Sequence, residues 1–422
     1  MDVKDFLLSH KQSSQDISSQ VFTANLKREI SLGLLGKSNC VPMIPTYLTA
    51  NLPKQSNVTN IIIDAGGTNF RVCLGSFDKY GKPTFSDFSS TTMPGVKFSL
   101  NKEEFFGQIA KNISYLVDKA TNIGFCFSYA VDMEQSLDGI ITIFSKEIKT
   151  SGVLGSYVGA ETLQSLRKYS DISRKIVICN DTVATLLGGK CSCNKQYSTY
   201  LGYIFGTGTN VSYIENNKNI KKLDLPEGEM IINTEVSNFD KFILGDFDKV
   251  IVDKTLAPSQ QLIEKVSSGR YLPSLIKEAV RIAKQEKLLS YSAVENEKFY
   301  TDYKVNTAEL SNFLSIGSQS VAKYFPNASD KDILSQLIYA FIDRSAKIGA
   351  LLVSAFVTQS ANSTSSLPLA IVAEGTTFYK LYNYRKLFEQ YLKELLPKDL
   401  SFDILGGNEL NLCGTLLASM QL

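Results

Sequence analysis

Three short segments carry residue types and spacings suited to chemistry on an anionic or hydroxyl-bearing substrate. The first is Asp64-Ala65-Gly66-Gly67-Thr68-Asn69-Phe70-Arg71. Adjacent glycines let backbone N–H groups approach an anion because no Cβ stands in the way. Thr68 and Asn69 add side-chain donors, and Arg71 suits a phosphoryl oxygen. Asp64 follows the apolar run Ile61–Ile63 and is placed to hold magnesium through water, as this hard ion prefers. A tight β-hairpin turn would use the same glycines. The spacings of a P-loop and of a dinucleotide fingerprint are both absent. The second segment, Gly206-Thr207-Gly208-Thr209-Asn210, is another turn of phosphate-binding type. The third, Asn180-Asp181-Thr182, follows the apolar run Ile176–Cys179, where α/β proteins bind ligands at the carboxyl ends of strands. Asp181 reads either as a helix N-cap or as a general base accepting a hydroxyl proton.

Composition narrows the choice. The 422 residues include one histidine, His10, and no tryptophan, and 44 Lys and Arg stand against 42 Asp and Glu. A single imidazole excludes Ser-His-Asp and Cys-His nucleophiles and His-ligated zinc. His10 itself, in a polar N-terminal stretch, is expected to be a solvated surface residue. A carboxylate is the natural base. The formal net charge of +2 supplies no global field for nucleic acid or an acidic membrane. No apolar run approaches the ~18 residues of a membrane span. The seven cysteines are scattered, and Cys191-Ser192-Cys193 is too close for an ordinary zinc pair. These features predict a cytoplasmic protein with reduced cysteines and neither nucleic-acid nor membrane partners; a monomer or homodimer is expected, and composition does not choose between them.

The elements that must position these residues alternate between strand and helix. Apolar runs predict strands at 61–63 and 70–77, 123–129, 139–144 and 175–179. Helical spacing is strongest from Phe105 to Ala120 and recurs around 160–169. The second half repeats the theme, with strands at 200–205 and 211–215 around a glycine turn, then helices at 260–267, 273–286 and 333–357. A strand at 369–372, a helix at 381–396, a strand at 402–405 and a terminal helix from Leu412 complete it. Aligning Gly67-Thr68-Asn69 with Gly208-Thr209-Asn210 gives an offset of 141 and suggests two related α/β halves gripping a polyphosphate from both sides.

Seven segments in order resemble the hexokinase family. Asp64–Arg71 resembles its first phosphate motif, Ile143–Gly152 its Trp-Thr-Lys-Gly-Phe segment, Val177–Thr185 its catalytic aspartate segment and Gly206–Asn210 its second phosphate motif. Ile232–Glu235 and Gln261–Lys265 are similar to the later sugar-binding segments, and Ala373–Lys380 to the adenosine motif. The resemblance implies a two-domain actin-like ATPase (ribonuclease H-like) α/β fold. Residues 58–187 with 409–422 would form the small domain, and 1–57 with 188–408 the large one. It implies a sugar site of Ser128, Ser145, Lys146, Asn180, Asp181, Asn233, Glu235 and Glu264. It also implies an ATP site of Asp64, Gly66, Gly67, Thr68, Asn69, Gly206, Thr207, Gly208, Thr209, Gly375 and Thr376.

The activity implied is transfer of the γ-phosphoryl of MgATP to the 6-hydroxyl of glucose or a related hexose, the first step of glycolysis. Asp181 would be the base, with Lys146 and Arg71 stabilising the transferring group. A catalytically weak sugar sensor is the alternative. The chain departs from the family pattern in several places. Phe144 and Val236 replace tryptophans, Ser145 replaces a threonine, and Ala130 replaces the proline after Ser-Phe. Glu374 replaces an aspartate. The glycine- and serine-rich nucleotide loop is expected at Glu409-Leu410-Asn411-Leu412, where leucines deny close backbone approach. The length fits one kinase unit.

Overall fold

The computed structural model describes residues 1–144, 148–290, 298–360 and 366–422. Two sheets share one plan. The first contains β1 (Thr59–Ala65), β2 (Asn69–Phe77), β3 (Pro83–Thr92), β4 (Ile123–Phe127) and β5 (Ile176–Cys179), in the order β5-β4-β1-β2-β3. The second contains β6 (Tyr200–Phe205), β7 (Thr209–Asn216), β8 (Glu229–Asn233), β9 (Leu369–Glu374) and β10 (Phe402–Leu405), in the order β10-β9-β6-β7-β8. In each, the first three strands run antiparallel and the last two lie parallel to the first. The match of order and direction carries the duplication that one glycine turn only suggested. The first turn is one residue longer than the second, so a fixed offset of 141 does not superimpose them residue by residue. The segment Ile44–Pro45 adds a short strand beyond β8.

Central strands formed where apolar runs predicted them, since both of their faces are covered. Ile61, Ile62 and Ile63 are fully buried, as are Cys73, Cys126 and Cys179, and all seven cysteines are free thiols. By contrast β3 is an exposed edge strand rich in Ser and Thr, and its composition gave no apolar signal.

Six helices matter for the site: α1 (Val3–Ser9), α2 (Asp181–Ser192), α3 (Asp246–Asp253), α4 (Leu262–Ser267), α5 (Ala328–Gln359) and α6 (Leu410–Ser419). Helix α2 leaves the first sheet but packs on the second, while α6 leaves the second and packs on the first. The two helices lie against each other between the sheets and share a core with Ile62, Cys126 and Val372. The boundary expected after residue 187 therefore falls inside a continuous helix. Separate apolar cores lie on the outer sides of the two sheets. Among the described residues no helix is long and apolar enough to cross a membrane.

His10 is not the solvated residue its neighbours suggested. Its side chain is 17% exposed, with Nδ1 3.2 Å from Asp246 Oδ2 and Nε2 3.0 Å from Glu286 Oε1. The ring also packs against Phe6 and Phe247, each at 4.9 Å. Apolar residues of α1 (Val3, Phe6 and Leu7) enter the core and tie the terminus down.

Candidate active site

The first turn closes with Gly66 N–H donating to Asn69 O at 3.0 Å and leaves Gly67, Thr68 and Asn69 exposed. Asp64 and Arg71 face each other across β1 and β2. Arg71 Nε donates to Asp64 Oδ2 at 3.0 Å, and Nη2 donates to the same oxygen. Burial works against the guanidinium, but Asp64 outweighs it and holds Arg71 above its ordinary value. The two groups expected to serve a metal and a phosphoryl oxygen separately are thus paired with each other. Ser128, half-buried, donates its N–H to Ala65 O at 3.1 Å and anchors the chain beside this turn. Ser145 and Lys146 lie outside the described residues.

In the second turn Gly206 N–H donates to Gly208 O at 2.9 Å. A Cβ on Gly208 would fall 2.4 Å from Glu264 Oε2, so glycine here lets the turn lie against a carboxylate expected in the sugar site. Gly375, with φ +121°, sits where a Cβ would meet Phe205 O at 2.2 Å, and Gly269 N–H donates to Gly206 O at 3.0 Å. Three backbone segments therefore converge: the β6–β7 turn with Thr207 exposed, the end of β9 leading to exposed Thr376, and the residues after α4.

The third segment resolves the choice of cap. Asn180 occupies the N-cap of α2, its Oδ1 accepting from Thr182 N at 2.9 Å. Asp181 is the first helical residue, part-exposed, with Oδ1 2.8 Å from the same N–H.

Around it stand the other acids. Glu235 takes a left-handed conformation (φ 51°) after β8, and its Oε1 accepts from Asn233 Nδ2 at 2.8 Å and Asn210 Nδ2 at 3.3 Å. Asn210, expected in the phosphate turn, is therefore bonded to two residues expected in the sugar site, Asn233 and Glu235. Burial pushes the Glu235 carboxyl up, against the Asn233 hydrogen bond, and the nearby Asp181 and Glu264 push the same way. Glu264, 6% exposed, lies on α4, whose preceding residue Gln261 (φ 53°) donates its N–H to Asn238 Oδ1 at 3.1 Å. Next to it Lys265 is 4% exposed, its ammonium bonded to Ala257 O. Arg344 Nη1 donates to Val266 O at 3.3 Å and Ser345 donates to Ser267 O, fixing the far end of α4 to α5, while the buried Arg344–Asp248 pair ties α5 to α3.

Glu374, at the end of β9, accepts from Thr185 Oγ1 at 3.2 Å, and Thr185 also bonds Asn411 of α6 at 3.0 Å. Burial, then Asp181 and Asp64, push its carboxyl up to about 7, against Thr185 and Arg71. Leu410, Asn411 and Leu412 are buried in α6 rather than forming a nucleotide loop, and the exposed glycines Gly406 and Gly407 precede them. Among the described residues no three His, Cys, Asp or Glu side chains converge closely enough to cage a metal.

Residue reading missed Tyr129, whose hydroxyl donates to Gly66 O at 3.0 Å. The available signal was a tyrosine standing where the family pattern has phenylalanine. It also missed Gly269 and Lys265, whose partners are backbone carbonyls.

Duplicated sheets, with glycine turns joining the first two strands of each and acids gathered between them, define a two-domain actin-like fold of the sugar-kinase type. A solved structure, hexokinase from Schistosoma mansoni complexed with glucose, shares this fold with TM-score 0.82 at 22% identity, covering 99% of this chain and 100% of that one. The hexokinase family pattern matches residues 3–191 and 200–412. Rice (Oryza sativa subsp. japonica) hexokinase-5 is 26% identical over 415 residues, 89% of this chain and 80% of that protein. Schistosoma mansoni hexokinase is 32% identical over 275 residues, 61% of this chain and 60% of that protein. The chain belongs to the hexokinase family.

Proposed function

We propose that the chain is an ATP-dependent hexokinase transferring the γ-phosphoryl of MgATP to the 6-hydroxyl of glucose or a related hexose. The observation that carries this reading is the place of Asp181. It lies within electrostatic reach of Glu235, with Glu264 alongside, and of Glu374, with Asp64 and Arg71 alongside. It is thus the group common to the sugar-side and phosphate-side clusters. Carboxylates and amides suit a polyol, whose hydroxyls both donate and accept. A site built from them disfavours substrates that lack a hydroxyl.

In this reading Asp181 takes the hydroxyl proton as the sugar oxygen attacks the γ-phosphorus. The transition state is loose, so a weakly basic carboxylate suffices and positioning dominates. Arg71 and Lys146 stabilise the transferring group, while Thr207, Thr376 and the turn amides hold phosphate oxygens. Asp64 would hold, through water, the magnesium that accompanies the nucleotide, and the ion would neutralise phosphate charge; among the described residues no cage of ligands converges for it. The lobe of the first sheet closes on that of the second about the α2–α6 pair, where α2 runs unbroken past residue 187, and closure excludes water. A cytoplasmic place at the entry to glycolysis follows from this activity. The alternative, a catalytically weak sugar sensor, would bind sugar without forming ADP.

The test is sugar-dependent ADP formation from MgATP with a panel of hexoses. Asp181→Ala is expected to lower kcat by about 10²–10⁴, while glucose still raises the melting temperature. Near-normal turnover by the variant at saturating sugar sinks the assignment. ADP formed equally without sugar indicates a bare ATPase.

A further inference from the structure

We infer that Tyr129 is a positioning residue that aims the amides of the first phosphate turn. The inference rests on the phosphoryl-transfer reading above. Tyr129 is 3% exposed, just beyond β4, and its hydroxyl reaches Gly66 O at 3.0 Å and Gly67 O at 3.4 Å. The described peptide bonds are all trans, and in a trans peptide the C=O and the following N–H point in opposite directions. Holding the carbonyls of Gly66 and Gly67 on the Tyr129 side therefore turns the N–H groups of Gly67 and Thr68 the other way. That is the exposed side, and neither N–H has an acceptor among the described residues. Met93 N–H donates to Thr68 O at 2.9 Å and fixes the next peptide in turn.

A two-glycine turn has many backbone conformations available to it, and freezing them before the ligand arrives is what makes its dipoles effective. The phenol is itself held rigidly. Its ring packs against Phe127 at 5.0 Å and Phe144 at 5.3 Å, and Phe144 packs on Phe105 at 5.6 Å. Phe144 directly precedes the Ser145–Lys146 segment, so one aromatic cluster supports both the phosphate turn and the approach to the expected phosphoryl clamp. Phenylalanine would fill the same volume without gripping the turn.

The test is Tyr129→Phe, which removes one oxygen and keeps the packing. The KM for MgATP is expected to rise about 3- to 10-fold, the worth of one hydrogen bond, with the KM for glucose unchanged. Calorimetric titration supplies a readout independent of turnover: binding of MgADP weakens by a similar factor, whereas adenosine, which has no phosphate, binds as before. Unchanged affinity for MgADP overturns the inference. So does a parallel loss for MgADP, adenosine and glucose, which would mark general loosening. If the unmodified protein shows no hexose-dependent turnover, the functional reading fails, and the comparison of MgADP with adenosine still decides the role of Tyr129.

Discussion

Glu374, at the end of β9, places a third carboxyl within electrostatic reach of Asp181 and Asp64. Burial and those two neighbours raise it from 4.5 to about 7. The folded chain therefore holds a proton that the unfolded chain gives up above pH 4.5. The stabilising effect of that proton is fully present below about 4.5 and is lost as pH rises through about 7. Replacing the group with a neutral amide should remove the dependence. Glu374→Gln is expected to be more stable than the parent above pH 7, by on the order of 3 kcal/mol, with the gap closing toward pH 4.5. Urea unfolding at pH 8 and pH 5 checks this, and equal gaps at both would refute the buried-acid account. Such groups were only partly legible beforehand. Asp64 and Asp181 announced themselves by following apolar runs, but Glu374 drew notice only as a departure from a family pattern. Tyr129 and Lys265 act through backbone carbonyls, which residue types do not reveal.

Elements were legible where burial was two-sided and obscure where it was not. Ile61–Ile63 became part of a central strand and Ile176–Cys179 a strand that is buried although it edges its sheet, whereas the exposed edge strand β3 and the short helix α3 lacked a long periodic pattern. The crossing of α2 and α6 was invisible for another reason, because it depends on two glycines 226 residues apart in the chain. A Cβ on Gly414 would lie 1.8 Å from Ala184 O, and one on Gly188 would lie 2.2 Å from Leu410 O. Backbone stands in the way at both places, so no side-chain rotation relieves the clash. Gly414→Ala is expected to cost about 1–3 kcal/mol or more, as overpacked cores do. Thermal unfolding should show a lowered midpoint. An unchanged midpoint would mean that the two helices separate without penalty and are not tightly packed against each other.

At the scale of the molecule the outer cores belong to separate sheets, and the α2–α6 pair with its shared core joins them. Glu235 and Glu264, the acids proposed for the sugar, are presented from the second sheet and α4, whereas Asp64 and Arg71 project from the first. Asp181 stands at the start of the helix that crosses between them. A ligand held by both sets draws the two bodies together, and its differential affinity for the closed form sets how far. A single rounded body of 422 residues has a radius of gyration of about 22 Å. The two-lobed chain alone is expected to exceed this value and to fall toward it when glucose is added. Small-angle scattering at matched protein concentration measures the change. A sugar lacking the hydroxyls that the acids grip should leave the radius unchanged, because buried acceptors left unpaired oppose closure. Confirmed glucose binding with no change in radius would show that the two lobes do not close, and water exclusion would then have to come from loops at the cleft alone.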